Sequence, residues 1–206
     1  SVALRVPELD TAQKVLRAFG GPVAAPSANP SGRISATTAQ HVLDGLSGRI
    51  DAVLDGGPCP VGLESTIIGL NHPRPTLLRA GGLPVEAIEA ALGETIDVAN
   101  GAEIIAPGQL ASHYAPNARV RLNALSAEPD EVLLGFGPIE GDLNLSPSGD
   151  LIEAAAQLFD HLHALDAMNK PIAVAPVPDH GLGRAINDRL RRAAAPRGSG
   201  AAGGAT

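Results

Sequence analysis

Apolar and polar positions alternate over Val2-Ala3-Leu4-Arg5-Val6, the period of a strand, and the pattern then changes to helical spacing at Val15, Leu16 and Phe19. Asp10 is placed to cap that helix and Gly20 to stop it. Residues 22–25 and 51–54 predict two further short strands, with a helix between them that Thr37 caps and that carries Val42, Leu43 and Leu46. Strands are expected at 64–70 and 76–79, joined by the turn formers Asn71-His72-Pro73, and a helix at 84–92 has Pro84 in its first turn. From Gly93 to Pro116 the periodicity fades into scattered Gly, Pro and polar residues, which predicts a linker. Strands follow at 120–122, 132–136 and 143–145. An amphipathic helix then spans 150–166, with Leu151, Ile152, Ala155, Leu158, Phe159 and Leu162 on one face. A buried-type strand at 172–175 and a helix at 182–194 complete the series. The alternation predicts an α/β fold in parts: 1–92, a linker or lid at 93–117, a small Rossmann-like three-layer α/β domain at 118–195, and a disordered tail at 196–206.

Composition narrows the function. The chain has 206 residues, 44% of them apolar, enough to bury a core. Aromatics make up only 2%, with Tyr114, Phe19, Phe136 and Phe159 and no Trp, which argues against a stacking platform for single-stranded nucleic acid. A formal net charge of -7 has the wrong sign for gripping polyanions by bulk electrostatics, so any RNA contact is expected to be weak and local. Cys59 is alone and can form neither an internal disulfide nor a multi-thiolate metal site. No apolar run approaches the roughly 18 residues of a membrane span, and a cytoplasmic location is expected. The opening at Ser1 in mid-strand leads to the expectation of a fragment, with part of the chemistry upstream.

The segment from Ala25 to Ser35, Ala-Pro-Ser-Ala-Asn-Pro-Ser-Gly-Arg-Ile-Ser, leaves a predicted strand and precedes a helix. Its hydroxyls, amide, guanidinium and glycine suit phosphate oxygens where no Walker lysine exists, and suit equally an ordinary polar turn. Glu64-Ser65-Thr66 sets small hydroxyls at a strand entrance, where they hold a carboxylate or amino group or serve simply as β-formers. Arg5 and Arg79 lie within or at the end of apolar strands, where a guanidinium either meets an anion or snorkels to water. Tyr114, beside His113 and Pro116, can close over a ligand or pin the linker to a surface. Cys59 lacks a basic neighbour and is expected to be inert, and the six histidines show no metal spacing. Arg184, Arg189, Arg191 and Arg192 on the last helix predict a solvated face.

Pro26-Ser27-Ala28-Asn29 followed by Ser31-Gly32, then Leu54-Asp55-Gly56-Gly57-Pro58, Glu64-Ser65-Thr66 and Leu78-Arg79 followed by Gly81-Gly82, in this order, resemble the YrdC/YwlC family of L-threonylcarbamoyladenylate synthases. Residues 1–92 resemble the later part of that family's twisted α/β catalytic domain, and the linker with its His113-Tyr114-Ala115-Pro116 and the unit beyond resemble the two-domain members. Leu143-Asn144-Leu145-Ser146 and the run from Gly181 to Arg189 are similar to their second domain. The resemblance implies an enzyme joining L-threonine, bicarbonate and ATP into threonylcarbamoyl-AMP and pyrophosphate, for N6-threonylcarbamoyladenosine in tRNA. It implies ATP, with Mg2+, at Ser1, Ser27, Asn29, Ser35, Arg79 and Tyr114, and threonine at Arg5, Ala25 and Ser65, with no protein nucleophile and no protein-held metal. Downstream tRNA-modification enzymes are the implied partners. The Lys- and Arg-bearing nucleotide motif of the family's earlier half has no counterpart here, since Lys14 and Lys170 are the only lysines and neither stands in such a context. Little activity is therefore expected of the chain alone. The competing classes are a non-catalytic nucleotide- or double-stranded-RNA-binding module and a structural fragment that packs on a partner.

Overall fold

The computed structural model describes residues 2–71, 73–99 and 112–196. The chain divides into two compact units, Ser1–Pro30 with Ser35–Cys59, and Ser31–Ile34 with Pro60–Thr206.

The first unit holds helices α1 (Asp10–Phe19) and α2 (Ala39–Leu46) and, among its described residues, no strand. Leu9 rather than Asp10 occupies the N-cap of α1, with no side-chain hydrogen bond, so Asp10 acts inside the first turn, where its charge meets the helix dipole and pairs with Lys14 at 2.7 Å. Gly20, at φ 72°, ends the helix and donates its N–H to the Leu16 carbonyl. The cap of α2 is displaced by one residue in the other direction, later than expected: Thr38 accepts from the His41 N–H, while Thr37 is buried and its hydroxyl meets His41 Nδ1 at 3.2 Å. The strands expected at 2–6, 22–25 and 51–54 have no ladder partner among the described residues. Alternation selects a face but cannot supply a neighbour, and a strand without one is only extended chain.

The second unit has two sheets. In the first, β1 (Ile67–Gly69) pairs antiparallel with β2 (Thr76–Arg79), Ile67 opposite Arg79, and β2 pairs parallel with β3 (Asp97–Val98). Helix α3 (Val85–Leu92), which starts at Pro84 and stops at the left-handed Gly93, makes the β2–β3 crossover. The fading periodicity after Gly93 thus hides a two-residue strand whose residues are both exposed. The second sheet is all parallel in the order β4-β7-β5-β6, from β4 (Val120–Arg121), β5 (Val132–Gly135), β6 (Leu143–Asn144) and β7 (Ile172–Val174).

Helix α4 (Leu151–Asp166) begins at Asp150, whose carboxylate accepts from the Ile152 and Glu153 N–H groups. It packs with α5 (Leu182–Ala194) over Val132, Leu134, Ile172 and Val174 in one core that includes Leu158, Phe159, Leu162, Leu165, Ile186 and Leu190. Ile152, assigned by spacing to the apolar face, instead points to solvent at 69% exposure. Successive strand residues face opposite ways, so Leu133 and Ala173 form a second, small cluster with Ala124 and Ile139. No helix among the described residues joins that cluster, and the layers are helix, sheet and covering loops. Burying each large aliphatic side chain of the main core contributes about 1.5–3 kcal/mol.

Residues 60–66 join the first sheet to this core. Leu63 packs against the main cluster, and Gly62, at φ +70°, lies so close to α4 that a Cβ would sit 2.2 Å from the Ala155 carbonyl oxygen. Residues from Pro60 onward, with Ser31–Ile34, thus lie in one compact unit with the C-terminal part.

Candidate functional site

In the first unit the structure brings Arg5 and Ala25 together: the exposed Arg5 guanidinium donates to the Ala25 carbonyl at 3.3 Å. Ser27 is exposed, Asn29 donates from Nδ2 to the Pro30 carbonyl, and Ser35 is buried. Asp55 accepts from the Gly57 N–H and so shapes its own turn. The middle of the polar segment, Ser31–Ile34, belongs to the second unit, where the Gly32 carbonyl accepts from the Ala115 N–H and Arg33 donates to the Asn117 side chain. Ser1 lies outside the described residues.

The β1–β2 hairpin brings Ser65 and Arg79 into contact. Antiparallel register carries the Arg79 side chain back across the strand, where Nε and Nη2 donate to the Ser65 carbonyl at 3.2 and 2.8 Å and Nη2 stands 3.5 Å from its hydroxyl. The next hydroxyl is structural: Thr66 donates to the Leu83 carbonyl and accepts from the Leu83 N–H. Gly81 permits this approach, since a Cβ there would meet the Glu64 carbonyl at 2.3 Å and Ser65 at 2.4 Å, and the Gly82 N–H donates to the same Glu64 carbonyl. Of three adjacent polar residues, Thr66 staples the loop, Glu64 pairs with Arg189 of α5, and Ser65 is left beside a guanidinium on an exposed edge.

Tyr114, expected on a mobile segment, is 1% exposed in the core against Phe159, with ring centroids 5.5 Å apart. Its φ of 59° is unusual for a bulky residue and costs on the order of 1–3 kcal/mol, which its surroundings must impose. They do so on both sides: the His113 N–H donates to the Arg192 carbonyl, the Ala115 N–H to Gly32, and Asp166 accepts from the Asn117 and Ala118 N–H groups. The described ends of the segment 93–117 are anchored, by β3 at one end and by these contacts at the other; its residues 100–111 lie outside the description. Burial pushes the Tyr114 phenol above its ordinary value, opposed by Arg189, and burial pushes His113 down, opposed by Glu64 and reinforced by Arg192, Arg189 and Arg79.

Arg189 is the residue that sequence reasoning missed. Its side chain is fully buried rather than solvated: Nε and Nη2 donate to Glu64 Oε2 at 3.1 and 3.0 Å, Nη1 donates to the Ala80 carbonyl and meets Asp188 at 3.2 Å, and the guanidinium lies 5.4 Å from the Tyr114 ring centroid. The signal was present in the helix period, because Arg189 falls on the apolar stripe with Leu182, Ile186, Leu190 and Ala193. The neighbouring arginines are also paired, Arg192 with Asp188 and Arg184 with Glu86.

Cys59 is an exposed residue whose partly shielded thiol is pushed up by burial, which keeps it protonated and weakly nucleophilic. Among the described residues no group of three or more His, Cys, Asp or Glu side chains converges to hold a metal ion. Among the described residues the donor set fits no protein-built Mg2+ site. No helix of the described residues is long and apolar enough to cross a membrane.

Family models match nearly the whole chain: residues 1–81 match the family described as "Telomere recombination", and residues 83–195 the family described as "Threonylcarbamoyl-AMP synthase, C-terminal domain". The threonylcarbamoyl-AMP synthase of Pyrococcus abyssi is 35% identical over 96% of this chain and 65% of its own length, and that of Bacillus subtilis 36% identical over 96% and 64%. The crystal structure of P. abyssi Sua5 complexed with L-threonine superposes with a TM-score of 0.81 at 33% identity, covering 92% of this chain and 63% of that one. The chain thus spans a little under two thirds of the length of these relatives. On the family match over more than half of its residues, it belongs to the threonylcarbamoyl-AMP synthase family.

Proposed function

We propose that the chain contributes substrate-binding residues for the synthesis of threonylcarbamoyl-AMP from L-threonine, bicarbonate and ATP, in the tRNA-modification route of the cytoplasm. The observation that carries this reading is the Ser65–Arg79 contact, a hydroxyl and a guanidinium set side by side on a hairpin edge in a member of this family. L-threonine has a counterpart among the relatives, since the P. abyssi protein is known in a crystal structure complexed with L-threonine.

The reaction asks for charge neutralisation and alignment more than for a nucleophile. The threonine amine adds to the bicarbonate carbon with loss of water, a carbamate oxygen attacks the α-phosphorus of ATP, and the bond to the β-phosphate oxygen breaks to release pyrophosphate. Both reacting partners are anionic, so a guanidinium between them lowers repulsion and fixes the approach. In this reading Arg79 holds phosphate charge, and Ser27, Asn29 and Ser35 contact ATP. Ser65, Arg5 and the backbone at Ala25 receive threonine. Tyr114 acts from the core through its neighbours rather than as a cover. Any Mg2+ arrives with the nucleotide, the usual manner for a small, strongly hydrated cation.

The RNA-binding alternative draws less support, because Arg184, Arg189 and Arg192 are engaged with carboxylates and the formal charge is -7. Purified protein is incubated with L-threonine, labelled bicarbonate and ATP, and product and pyrophosphate are quantified beside calorimetric titrations of each ligand. Binding of both L-threonine and ATP supports the reading, and product in equal amount to pyrophosphate extends it to turnover. Binding of ATP without threonine or product would favour the nucleotide-binding module, and binding of neither would overturn the reading.

A further inference from the structure

Arg189 spends a buried charge where the stripe of α5 would accept an aliphatic side chain. Replacing a buried ion pair by apolar residues of similar volume is often neutral or stabilising, so stability alone is a weak account of it. Its contacts are specific. Glu64 directly precedes Ser65, and Ala80 directly follows Arg79. One guanidinium therefore holds the chain on the outer side of each member of the Ser65–Arg79 pair, while Arg79 itself spans to the Ser65 carbonyl. The same guanidinium lies against the ring of Tyr114, whose left-handed backbone ties it to α5 through the His113 N–H and the Arg192 carbonyl. The arrangement forms a closed frame: α5, Glu64, the hairpin, Ala80 and back to α5.

We propose that Arg189 is a positioning residue that sets the spacing of Ser65 and Arg79 for substrate and couples that spacing to Tyr114. The proposal rests on the functional reading above. A planar fork reaches Glu64 and the Ala80 carbonyl at once, which a lysine ammonium on its stem does not match. A charge-preserving substitution therefore separates geometry from electrostatics.

The chain supplies its own probe, since Tyr114 is the only Tyr and there is no Trp. L-threonine and ATP are titrated into wild type, Arg189→Lys and the double variant Glu64→Gln with Arg189→Met, by calorimetry and by tyrosine emission, with melting curves for each. The double variant removes both charges and leaves no unpaired carboxylate. The expected result is that wild type binds threonine with a change in Tyr114 emission. Both variants, folded at the temperature of the titration, should bind threonine at least tenfold more weakly, and the emission should no longer follow binding. Equal affinity within twofold in the variants would overturn the proposal while leaving the functional reading intact. Wild type that binds neither ligand would overturn both. If Arg189→Lys does not fold, the double variant decides; if neither folds, Arg189 is a folding residue and the positioning role is overturned.

Discussion

Two aliphatic patterns of the same kind have opposite fates in this chain. Val2, Leu4 and Val6 alternate as a strand should, yet they are 79%, 89% and 86% exposed, and neither α1 nor α2 buries a single residue. Val132, Leu134, Ile172 and Val174 are at most 3% exposed beneath α4 and α5. Periodicity is necessary for burial and insufficient for it: the second group has parallel neighbours and a helical cover, and the first has turn chemistry and caps. Stability should accordingly reside in the second unit. Leu158→Ala there is expected to cost about 2–5 kcal/mol by transfer and cavity terms together, visible as a large fall in denaturation midpoint. Leu4→Ser in the first unit should stay within about 0.5 kcal/mol, and a loss at Leu4 comparable to that at Leu158 would break the comparison.

The site residues sharpen the same contrast. Arg79 sits in a framed hairpin and Arg5 on an exposed segment with one backbone contact. Arg79→Ala should weaken ATP by on the order of 1.5–3 kcal/mol, roughly tenfold to a hundredfold. It should weaken threonine by a smaller factor, because the Ser65 carbonyl loses its donor. Arg5→Ala should raise the threonine requirement alone. Titrating each ligand into both variants checks this, and unchanged nucleotide affinity in Arg79→Ala would remove it from the phosphate site.

Where local signals and packing agree, the sequence was legible. The bounds of β2 and α5 came out as the periodicity predicts, and Asp150 caps α4 because its acceptor lies at the right offset. The cap of α2 drifted by one residue because Thr37 and Thr38 offer equivalent hydroxyls, whereas α1 starts at Leu9 with no side-chain cap at all, so its boundary carries no cap signal. The Val98 strand escaped notice because a two-residue exposed parallel strand has no period. The family motifs pointed to Glu64-Ser65-Thr66 and Arg79 but could not divide their roles. That division depends on Arg189, 125 residues from Glu64, a pairing to which no local pattern points.

Helix caps offer a smaller test. Asp150→Ala and Thr38→Ala each remove one acceptor from an N-terminal turn, a change of about 1 kcal/mol. In α4 the loss should lower the global midpoint, because the helix roofs the core. In α2, which buries nothing, it should raise amide exchange locally and leave the midpoint nearly unchanged. Equal midpoint shifts would mean that the two units unfold together.

The finest distinction is acid dependence. Burial holds His161 below its ordinary value against the pull of Asp160, and His113 is also pushed down by burial. As pH falls through the ordinary histidine value near 6.5, the unfolded chain takes up protons that the folded one resists, so stability declines from there. Glu131 shifts in the other chemical sense. The Arg121 guanidinium and the Glu128 N–H hold its carboxyl at about 2, against an ordinary 4.5, so its contribution is present above 4.5 and is lost as pH falls toward 2. All three groups lie in the second unit. Its denaturation midpoint should therefore fall in two steps on acidification, the upper one reduced by His161→Phe and the lower one flattened by Glu131→Gln. Amide exchange in α1, corrected for the intrinsic effect of pH, should not follow those steps. A matching course in α1 would show that the first unit borrows its order from the second, and the contrast between them would then be one of burial without independence.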